Sequence, residues 1–234
     1  MPIGNERETV RRQYRRETGL TTRMSIWHPP VDGVTPQDIA LAALRTVSPQ
    51  SLLEIGCGTG RLAERISQEL PGTEVLATDQ SERMVELTAE RGVAAQVADA
   101  DALPFADHRF DAVVAAWMLY HVPDLDRTLA EVRRVLRPGG TLVAITNGDH
   151  HAADLLIAAG GERLITQFST ENGETALRRH FDHVEARQIT PLAMADHQQA
   201  QEYLASFDAD LAAGLPPYEG ERTYPGAVTV FTAR

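Results

Sequence analysis

The sequence predicts an α/β fold built on a mostly parallel sheet. From about residue 50 to residue 147, short apolar runs alternate with amphipathic stretches, a pattern typical of parallel strands separated by helices. Two runs, 112–116 and 142–145, are continuously apolar, as expected for strands buried on both faces of a sheet. Turns rich in glycine and proline separate the segments. Together these features indicate a doubly wound sheet covered by helices.

Each predicted element in this segment has its own boundary signals. The predicted strands are 51–55, 75–78, 95–98, 111–117 and 141–146, and the helices between them are 61–70, 81–91 and 125–136. Pro71 and Gly72 end the first helix, while Ser81 and Gly92 are expected to cap the second. The third helix is expected to end in a turn at 137–140, Arg-Pro-Gly-Gly.

The flanking segments follow other patterns. Residues 5–20 form a predicted arginine-rich helix, and two interpretations stay open for it. It is either a solvated face with i,i+4 ion pairs such as Glu8–Arg12, or a lid whose arginines and Tyr14 contact an anionic part of a ligand. Further elements are predicted as a helix at 175–181, a strand at 184–189, a helix at 198–213, a turn-rich connector at 214–225 and a strand at 227–232.

Composition excludes several classes of function. The 234 residues carry 22 basic against 33 acidic side chains, a net charge of −11, which disfavours nucleic acid and anionic membranes as partners. The apolar run 112–120 is too short to span a bilayer, and the N-terminal residues lack the apolar stretch of a secretory signal, so we expect a cytoplasmic protein. The single cysteine, Cys57, rules out an intrachain disulfide and a multi-cysteine zinc site.

Lysine is absent from the sequence, since all 22 basic residues are arginines. Mechanisms that need a lysine amine are therefore excluded: Schiff-base chemistry, phosphate binding by a P-loop lysine, and reduction by a Tyr-x-x-x-Lys pair.

A glycine-rich turn between the first strand and first helix indicates a ligand site. It reads Glu54-Ile-Gly-Cys-Gly-Thr-Gly60, and its alternate glycines allow a ligand to approach the backbone closely. The dinucleotide pattern G-x-G-x-x-G would require glycine at position 61, which is Arg61. Glu54 would also repel a pyrophosphate, whereas a cationic ligand would favour that carboxylate.

Asp79 ends the second predicted strand, nineteen residues after Gly60. A carboxylate at this place accepts hydrogen bonds from ribose hydroxyls in nucleoside-binding sheets, although it could instead be an N-terminal charge for the helix after Ser81. The turn and Asp79 together favour a positively charged nucleoside without phosphates, a description that S-adenosylmethionine fits.

Five motifs in order resemble those of class I S-adenosylmethionine-dependent methyltransferases of type 11, the ubiquinone/menaquinone methyltransferase-like group. The motifs are Glu54–Gly60, Asp79, Asp99–Phe105, 110–113 and 136–140. The resemblance is strong over residues 50–147 and weak in the flanks. It implies a Rossmann-like, doubly wound, seven-stranded and mostly parallel sheet with an N-terminal helical lid, and S-adenosylmethionine as cofactor.

The resemblance also implies roles at the methionyl end of the cofactor. Gly56, Gly58 and Gly60 would line the methionyl and ribose portions, and Glu54 would help to hold the methionyl ammonium. Residues Ala116 and Trp117, at the end of the fourth strand, would offer a carbonyl to the same end.

At the nucleoside end, the family pattern assigns Asp79 to the ribose. Gln80 and Met84 would flank the adenine. Asp99 would accept a hydrogen bond from the adenine amino group, with the amide of Ala100 beside it.

Candidates for chemistry follow the fourth strand. His121, next to Tyr120, is either a general base toward the acceptor or a residue that orients the loop. Tyr14 is a candidate lid residue over the sulfonium, and Trp27 a packing anchor or a wall of the substrate site. Cys57, inside the glycine turn, is expected to be a small filler of the cofactor site.

No metal site is predicted. Asp149, His150, His151 and Asp154 invite a metal interpretation, but adjacent histidines cannot easily face one ion, so we expect a polar loop bordering the acceptor pocket. His180 and His183 are expected at the surface.

The sequence thus predicts a cap at 1–30 and a methyltransferase domain at 31–234, with the cofactor core at 50–147 and acceptor-side elements at 148–225. The expected reaction is methyl transfer to an oxygen or nitrogen atom of a small molecule. Three alternatives stay open: a non-catalytic binder of S-adenosylmethionine or S-adenosylhomocysteine, a methyltransferase acting on RNA, and the disfavoured NAD-dependent reductase.

Overall fold

The computed structural model describes residues 25–28, 30 and 33–234. The strands are β1 (Trp27–His28), β2 (Ser51–Ile55), β3 (Glu74–Asp79), β4 (Ala94–Val97), β5 (Phe110–Ala116), β6 (Leu136–Asn147), β7 (Val184–Ile189), β8 (Leu192–Ala195), β9 (Arg222–Pro225) and β10 (Val228–Ala233). The helices are α1 (Pro36–Val47), α2 (Arg61–Glu69), α3 (Glu82–Glu90), α4 (Leu125–Val135), α5 (Ala153–Ala158), α6 (Gly173–Leu177), α7 (His197–Ala205) and α8 (Ala209–Gly214). A 3-10 turn spans Leu119–His121. Within these residues, no helix is long and apolar enough to cross a membrane.

The main sheet has seven strands in the order β4-β3-β2-β5-β6-β10-β7, and only β10 runs antiparallel to its neighbours. The predicted α/β class and mostly parallel seven-stranded sheet are thereby confirmed. The chain winds outward from β2 toward β4 and then returns to β5, so the strand order reverses between β2 and β5. Ligands of doubly wound sheets bind at the carboxyl ends of the strands beside such a reversal.

Two apolar layers hold helices on opposite faces of this sheet. One layer joins α1 and α2 to the sheet through residues such as Leu41, Ile66 and Val143. The other joins α4 and α6 to the opposite face through Leu129, Phe168 and similar side chains. Because both faces of the central strands are covered, the strand residues are apolar in unbroken runs, which is the pattern that the sequence shows.

A second, smaller sheet was not predicted from the sequence. It is antiparallel, in the order β1-β8-β9, and it packs with α5, α7 and α8 in a separate apolar cluster. The predicted connector 214–225 therefore ends in a strand. The predicted helix 198–213 is two helices, because the chain leaves the helical path after Ala205 and Asp208 caps α8 by accepting from the Asp210 amide.

The predicted turn at 137–140 is an irregularity inside β6 rather than a break before it. Leu136 pairs with Phe110, and regular pairing resumes only at Ala112 with Thr141. Gly139 takes a left-handed φ of 78° within this extra stretch. The chain thus passes directly from α4 into β6, and the turn residues form a bulge.

Candidate functional site

A cavity of about 710 Å³ lies at the carboxyl ends of the parallel strands and extends under the small sheet. Its volume falls in the range typical of small-molecule sites. The glycine turn after β2 and the loop after β5 form one part of its wall, and residues of β1 and α7 form the other. The position is the one that the strand reversal predicts.

Two glycines of the turn are required for different reasons. Gly56 has a φ of 66° and lines the cavity, and a Cβ on it would stand 2.7 Å from Cβ of Met118. Gly60 does not line the cavity. Its φ is 74°, and a Cβ there would stand 2.6 Å from Oγ1 and 2.8 Å from Cα of Thr88 on α3. Gly60 therefore allows α2 and α3 to pack closely, and its contact with a ligand stays a prediction.

We expect Gly60→Ala to destabilise the fold by more than Gly92→Ala. Both glycines have a positive φ, which costs an alanine ~1–2 kcal/mol, but a Cβ at Gly92 would meet open space. The clash with Thr88 should add ~1–3 kcal/mol to the cost at Gly60. Chemical denaturation measures the free energy of unfolding of each variant. Equal losses in the two variants would show that the clash with Thr88 does not destabilise the Gly60 variant further.

Asp79 joins the glycine turn to α3. Its Oδ2 accepts from the Gly58 amide at 3.0 Å, and its Oδ1 accepts from the Ser81 amide at 2.9 Å. Burial raises the pKa of the Asp79 carboxyl, while these amide hydrogen bonds oppose the rise. Each oxygen keeps lone-pair capacity for a further donor. Asp79 thus supports the helix start and also lines the cavity, while its contact with a ribose stays a prediction.

Glu54 is the most deeply buried acidic group at the cavity. It is 2% exposed, and its Oε2 has no hydrogen-bond partner in the part of the chain that the structure describes. Burial, with repulsion from Asp79 as a smaller cause, raises the pKa of Glu54 to about 8. A buried carboxyl oxygen without a partner destabilises the folded state unless a hydrogen-bond donor or a cation binds to it.

The predicted nucleoside-end residues line one stretch of the same cavity: Gln80, Met84, Asp99 and Ala100. Cys57 lines the cavity too, but its thiol packs 3.3 Å from Oγ1 of Thr88, and burial raises its pKa to about 12. The thiol is therefore unreactive at neutral pH, as expected of a small filler. Tyr14 lies outside the described residues.

The loop after β5 carries the remaining candidates. Ala116 and Trp117 line the cavity, and Trp117 is held at a φ of 54°, unusual for a large side chain, by hydrogen bonds from its amide to Ile145 and from Nε1 to Oδ1 of Asn147. Tyr120 and His121 follow in the 3-10 turn and line the cavity, and their rings are in tilted contact, with centroids 4.4 Å apart and planes inclined by 59°. Asn147 was not singled out from the sequence.

We name the far part of the cavity, under the small sheet, the acceptor end. Its lining side chains are Trp27, His151, Leu164, Pro191, Tyr203 and Phe207. Sequence reasoning named Trp27 and the loop of His151 as candidates here and assigned 148–225 to the acceptor side, but it did not single out the other four side chains. Tyr203 and Phe207 are four residues apart, a helical spacing that could have indicated a shared aromatic face.

The other histidine candidates lie elsewhere. His180 and His183 follow the end of α6 rather than sharing a helix, and His180 Nε2 lies 2.9 Å from Oδ1 of Asp126. Among the described residues, no group of three or more His, Cys, Asp or Glu side chains could hold a metal ion.

Part of the chain is similar to known methyltransferases. Residues 53–144 match the type 11 family model described as a methyltransferase domain. Over 98 residues the chain is 40% identical to a ubiquinone/menaquinone biosynthesis C-methyltransferase of Desulfotalea psychrophila, covering 40% of each chain. Over 125 residues it is 36% identical to a malonyl-[acyl-carrier protein] O-methyltransferase of Methylococcus capsulatus, covering 50% of this chain and 46% of that protein. The chain spans less than half of the length of these two relatives.

Among solved structures, the [4+2]-cyclase SpnF has a similar fold. The TM-score is 0.62 at 20% identity, covering 100% of this chain and 98% of that one. At this identity the likeness shows the fold alone.

Proposed function

We propose that the chain transfers a methyl group from S-adenosylmethionine to an oxygen or nitrogen atom of a small molecule, because residues 53–144 match the type 11 methyltransferase domain model. The observation that carries the proposal is a pair of cavity-facing carboxyls, Glu54 and Asp79, placed on either side of the glycine turn. Ionised carboxyls repel phosphates and attract a cation, and Glu54 joins Asp79 in doing so once it has lost its proton.

The cavity fits S-adenosylmethionine in charge and in hydrogen-bonding capacity. The unused Oε2 of Glu54 would accept from the methionyl ammonium, and Asp79 would accept from the ribose hydroxyls. Gly56 and Gly58 would let the ligand lie against the backbone, as their positive φ angles and missing side chains permit. Arg61 stands where the dinucleotide pattern requires a glycine.

The remaining wall residues would complete the site. Gln80 and Met84 would flank the adenine, and Asp99 with the amide of Ala100 would face its edge. Ala116 and Trp117 would meet the methionyl end, and Tyr14 of the cap is proposed as a lid residue.

Bound S-adenosylmethionine would supply an electrophilic methyl carbon, which a nucleophile attacks in line as the bond to sulfur breaks and S-adenosylhomocysteine leaves. The chain's own part is to hold the nucleophile on the axis of that displacement and to exclude water. Positioning of this kind lowers a barrier by several kcal/mol without a covalent intermediate. The adjacent residues Tyr120 and His121 line the cavity directly after the proposed cofactor residues Ala116 and Trp117, so His121 is the proposed proton acceptor.

Carbon is a second candidate for the methylated atom. The Desulfotalea psychrophila relative is named as a C-methyltransferase, and the Methylococcus capsulatus relative as an O-methyltransferase. The aromatic side chains of the acceptor end would suit a ring substrate of either kind.

We expect His121→Ala to lower turnover by ~100-fold or more while the affinity for S-adenosylhomocysteine is unchanged. The reason is that the variant removes a proton acceptor and leaves the cofactor contacts in place. Turnover is measured as S-adenosylhomocysteine released with the best acceptor from a panel. A loss smaller than tenfold would assign His121 to loop orientation instead.

A thermal-shift experiment tests the proposed function against its alternatives. We expect S-adenosylhomocysteine to raise the melting temperature and NAD to leave it unchanged. A panel of phenols, amines, quinols and RNA oligomers then tests transfer. Stabilisation by NAD would favour a reductase, methylation of the RNA oligomers would favour an RNA methyltransferase, and binding without transfer to any acceptor would favour a non-catalytic binder.

A further inference from the structure

His151 stands at the acceptor end without a role in the cofactor site. Its ring stacks on Trp27 with centroids 4.2 Å apart and planes inclined by 26°. Its Nδ1 lies 3.2 Å from the amide nitrogen and 3.1 Å from the carbonyl oxygen of Ala227. Two distant parts of the chain therefore fix the ring: Trp27 packs against its face, and Ala227 contacts its Nδ1.

The turn that holds Nδ1 is itself tightly held. The Gly226 amide donates to the Pro191 carbonyl at 2.7 Å, and a Cβ on Gly226 would stand 2.6 Å from the Trp27 ring. The Gly148 amide donates to the Ala227 carbonyl at 2.9 Å. Ring, turn and tryptophan thus form one packed unit in which the imidazole has little freedom to rotate.

Hydrogen-bond accounting decides which ring nitrogen carries the proton. The Ala227 carbonyl already accepts from Gly148, whereas the Ala227 amide has His151 Nδ1 as its one acceptor in the described part of the chain. A backbone amide away from water needs a partner. Nδ1 therefore accepts, and the proton of the neutral ring is on Nε2.

Nε2 is left for a ligand. His151 lines the cavity, and no described residue bonds its Nε2. Burial lowers the pKa of His151 to about 4, so the ring is neutral at physiological pH. The neighbouring Trp27, Leu164, Pro191, Tyr203 and Phe207 bring no charged group to this end.

We infer that His151 donates its Nε2–H to an oxygen atom of an uncharged methyl acceptor and so orients that molecule in the acceptor end. The inference rests on the proposed methyl transfer. It makes His151 a donor that selects the acceptor, distinct from a base that removes its proton.

Nitrogen NMR on the full chain tests the tautomer directly. With ¹⁵N-labelled protein saturated with S-adenosylhomocysteine, we expect the His151 ring to show a protonated Nε2 and an unprotonated Nδ1 from pH 8 to pH 6. The ring-nitrogen signals of His151 are assigned as those that disappear from the spectrum of the His151→Gln variant. A protonated Nδ1 with a bare Nε2, or a doubly protonated ring at pH 7, would overturn the inference.

Binding of two matched probes tests the donor role. 2-Acetylnaphthalene has a carbonyl oxygen and 2-ethylnaphthalene does not, and equilibrium dialysis gives the affinity of each for the S-adenosylhomocysteine complex. His151→Phe keeps a ring against Trp27 but has no hydrogen-bond donor. It should therefore lower the affinity for the ketone roughly fivefold to tenfold and leave the affinity for the hydrocarbon unchanged. His151→Gln, whose amide nitrogen reaches the position of Nε2, should restore most of the ketone affinity.

Equal effects of His151→Phe on both probes, or no rescue by glutamine, would contradict the donor role. Affinity for S-adenosylhomocysteine is measured in every variant and should not change. If the cofactor product binds and the tautomer is as expected, yet no acceptor is methylated, the proposed function fails while the donor assignment stands.

Discussion

Replacing Glu54 by glutamine is expected to make the protein more stable and its binding of S-adenosylmethionine weaker. The folded-state pKa of Glu54 is raised to about 8, well above its value of about 4.5 in an unfolded chain. The folded state therefore binds more protons than the unfolded state between these values, and the stability of the wild-type protein falls as pH rises from 4.5 through 8. Glutamine removes that penalty, which at neutral pH is a few kcal/mol for so buried a group.

The stability gained by the Glu54→Gln substitution should therefore depend on pH. The melting temperature of Glu54→Gln should exceed that of the wild type by several degrees at pH 8 and by much less at pH 5. Glu131→Gln is the matched control, because hydrogen bonds from Arg134 lower the pKa of Glu131 and its replacement should destabilise the protein. If both glutamine variants shift the melting temperature in the same direction, burial of Glu54 is not the cause.

The affinity for S-adenosylmethionine should fall in Glu54→Gln, although the stability rises. A charge-assisted hydrogen bond to the methionyl ammonium is worth enough that its loss weakens affinity roughly 10- to 100-fold. Since Glu54 is mostly protonated at pH 6.5, wild-type binding should release a proton, and Glu54→Gln should release none. Calorimetry in buffers of different ionisation enthalpy counts that proton. Unchanged affinity together with no proton release by the wild type would show that Glu54 does not meet the cation.

Asp79→Ala is expected to lower the affinity for S-adenosylhomocysteine by ~100-fold or more and to destabilise the apoprotein. The variant removes the acceptor of two backbone amides, those of Gly58 and Ser81, and the acceptor proposed for the ribose. The glycine turn would lose one of its attachments to the start of α3, so the stability effect alone could disturb the site.

Asp111→Ala separates these two effects. Asp111 stands at the opposite end of the sheet, where its Oδ2 accepts from the Gln50 and Ser51 amides and its Oδ1 accepts from Arg137. Its removal should destabilise the protein to a similar degree without changing affinity in the folded protein. Equal affinities for the two alanine variants would assign Asp79 to the helix start alone.

Local motifs made much of the site predictable. Glu54, Asp79 and Asp99 each stand at or just after the carboxyl end of a parallel strand, and parallel strands bring those ends to one edge. The pattern of strands and the glycine turn indicated Glu54 and Asp79 as site residues, and the family resemblance added Asp99.

Contacts between distant segments could not be predicted. Gly60 resembles its neighbours Gly56 and Gly58 in sequence, but its role depends on Thr88 of another helix. The donor at His151 depends on Ala227, which is 76 residues further along the chain. The small sheet consists of strands of two to four residues, too short to show an alternation of polar and apolar side chains.

The most direct test of the central claim is calorimetric titration of the purified protein with S-adenosylhomocysteine and, separately, with NAD. If the site between Glu54 and Asp79 holds a cationic nucleoside without phosphates, S-adenosylhomocysteine should bind at one site per chain. NAD should give no heat of binding. Saturable binding of NAD, or no heat with S-adenosylhomocysteine, would contradict that claim.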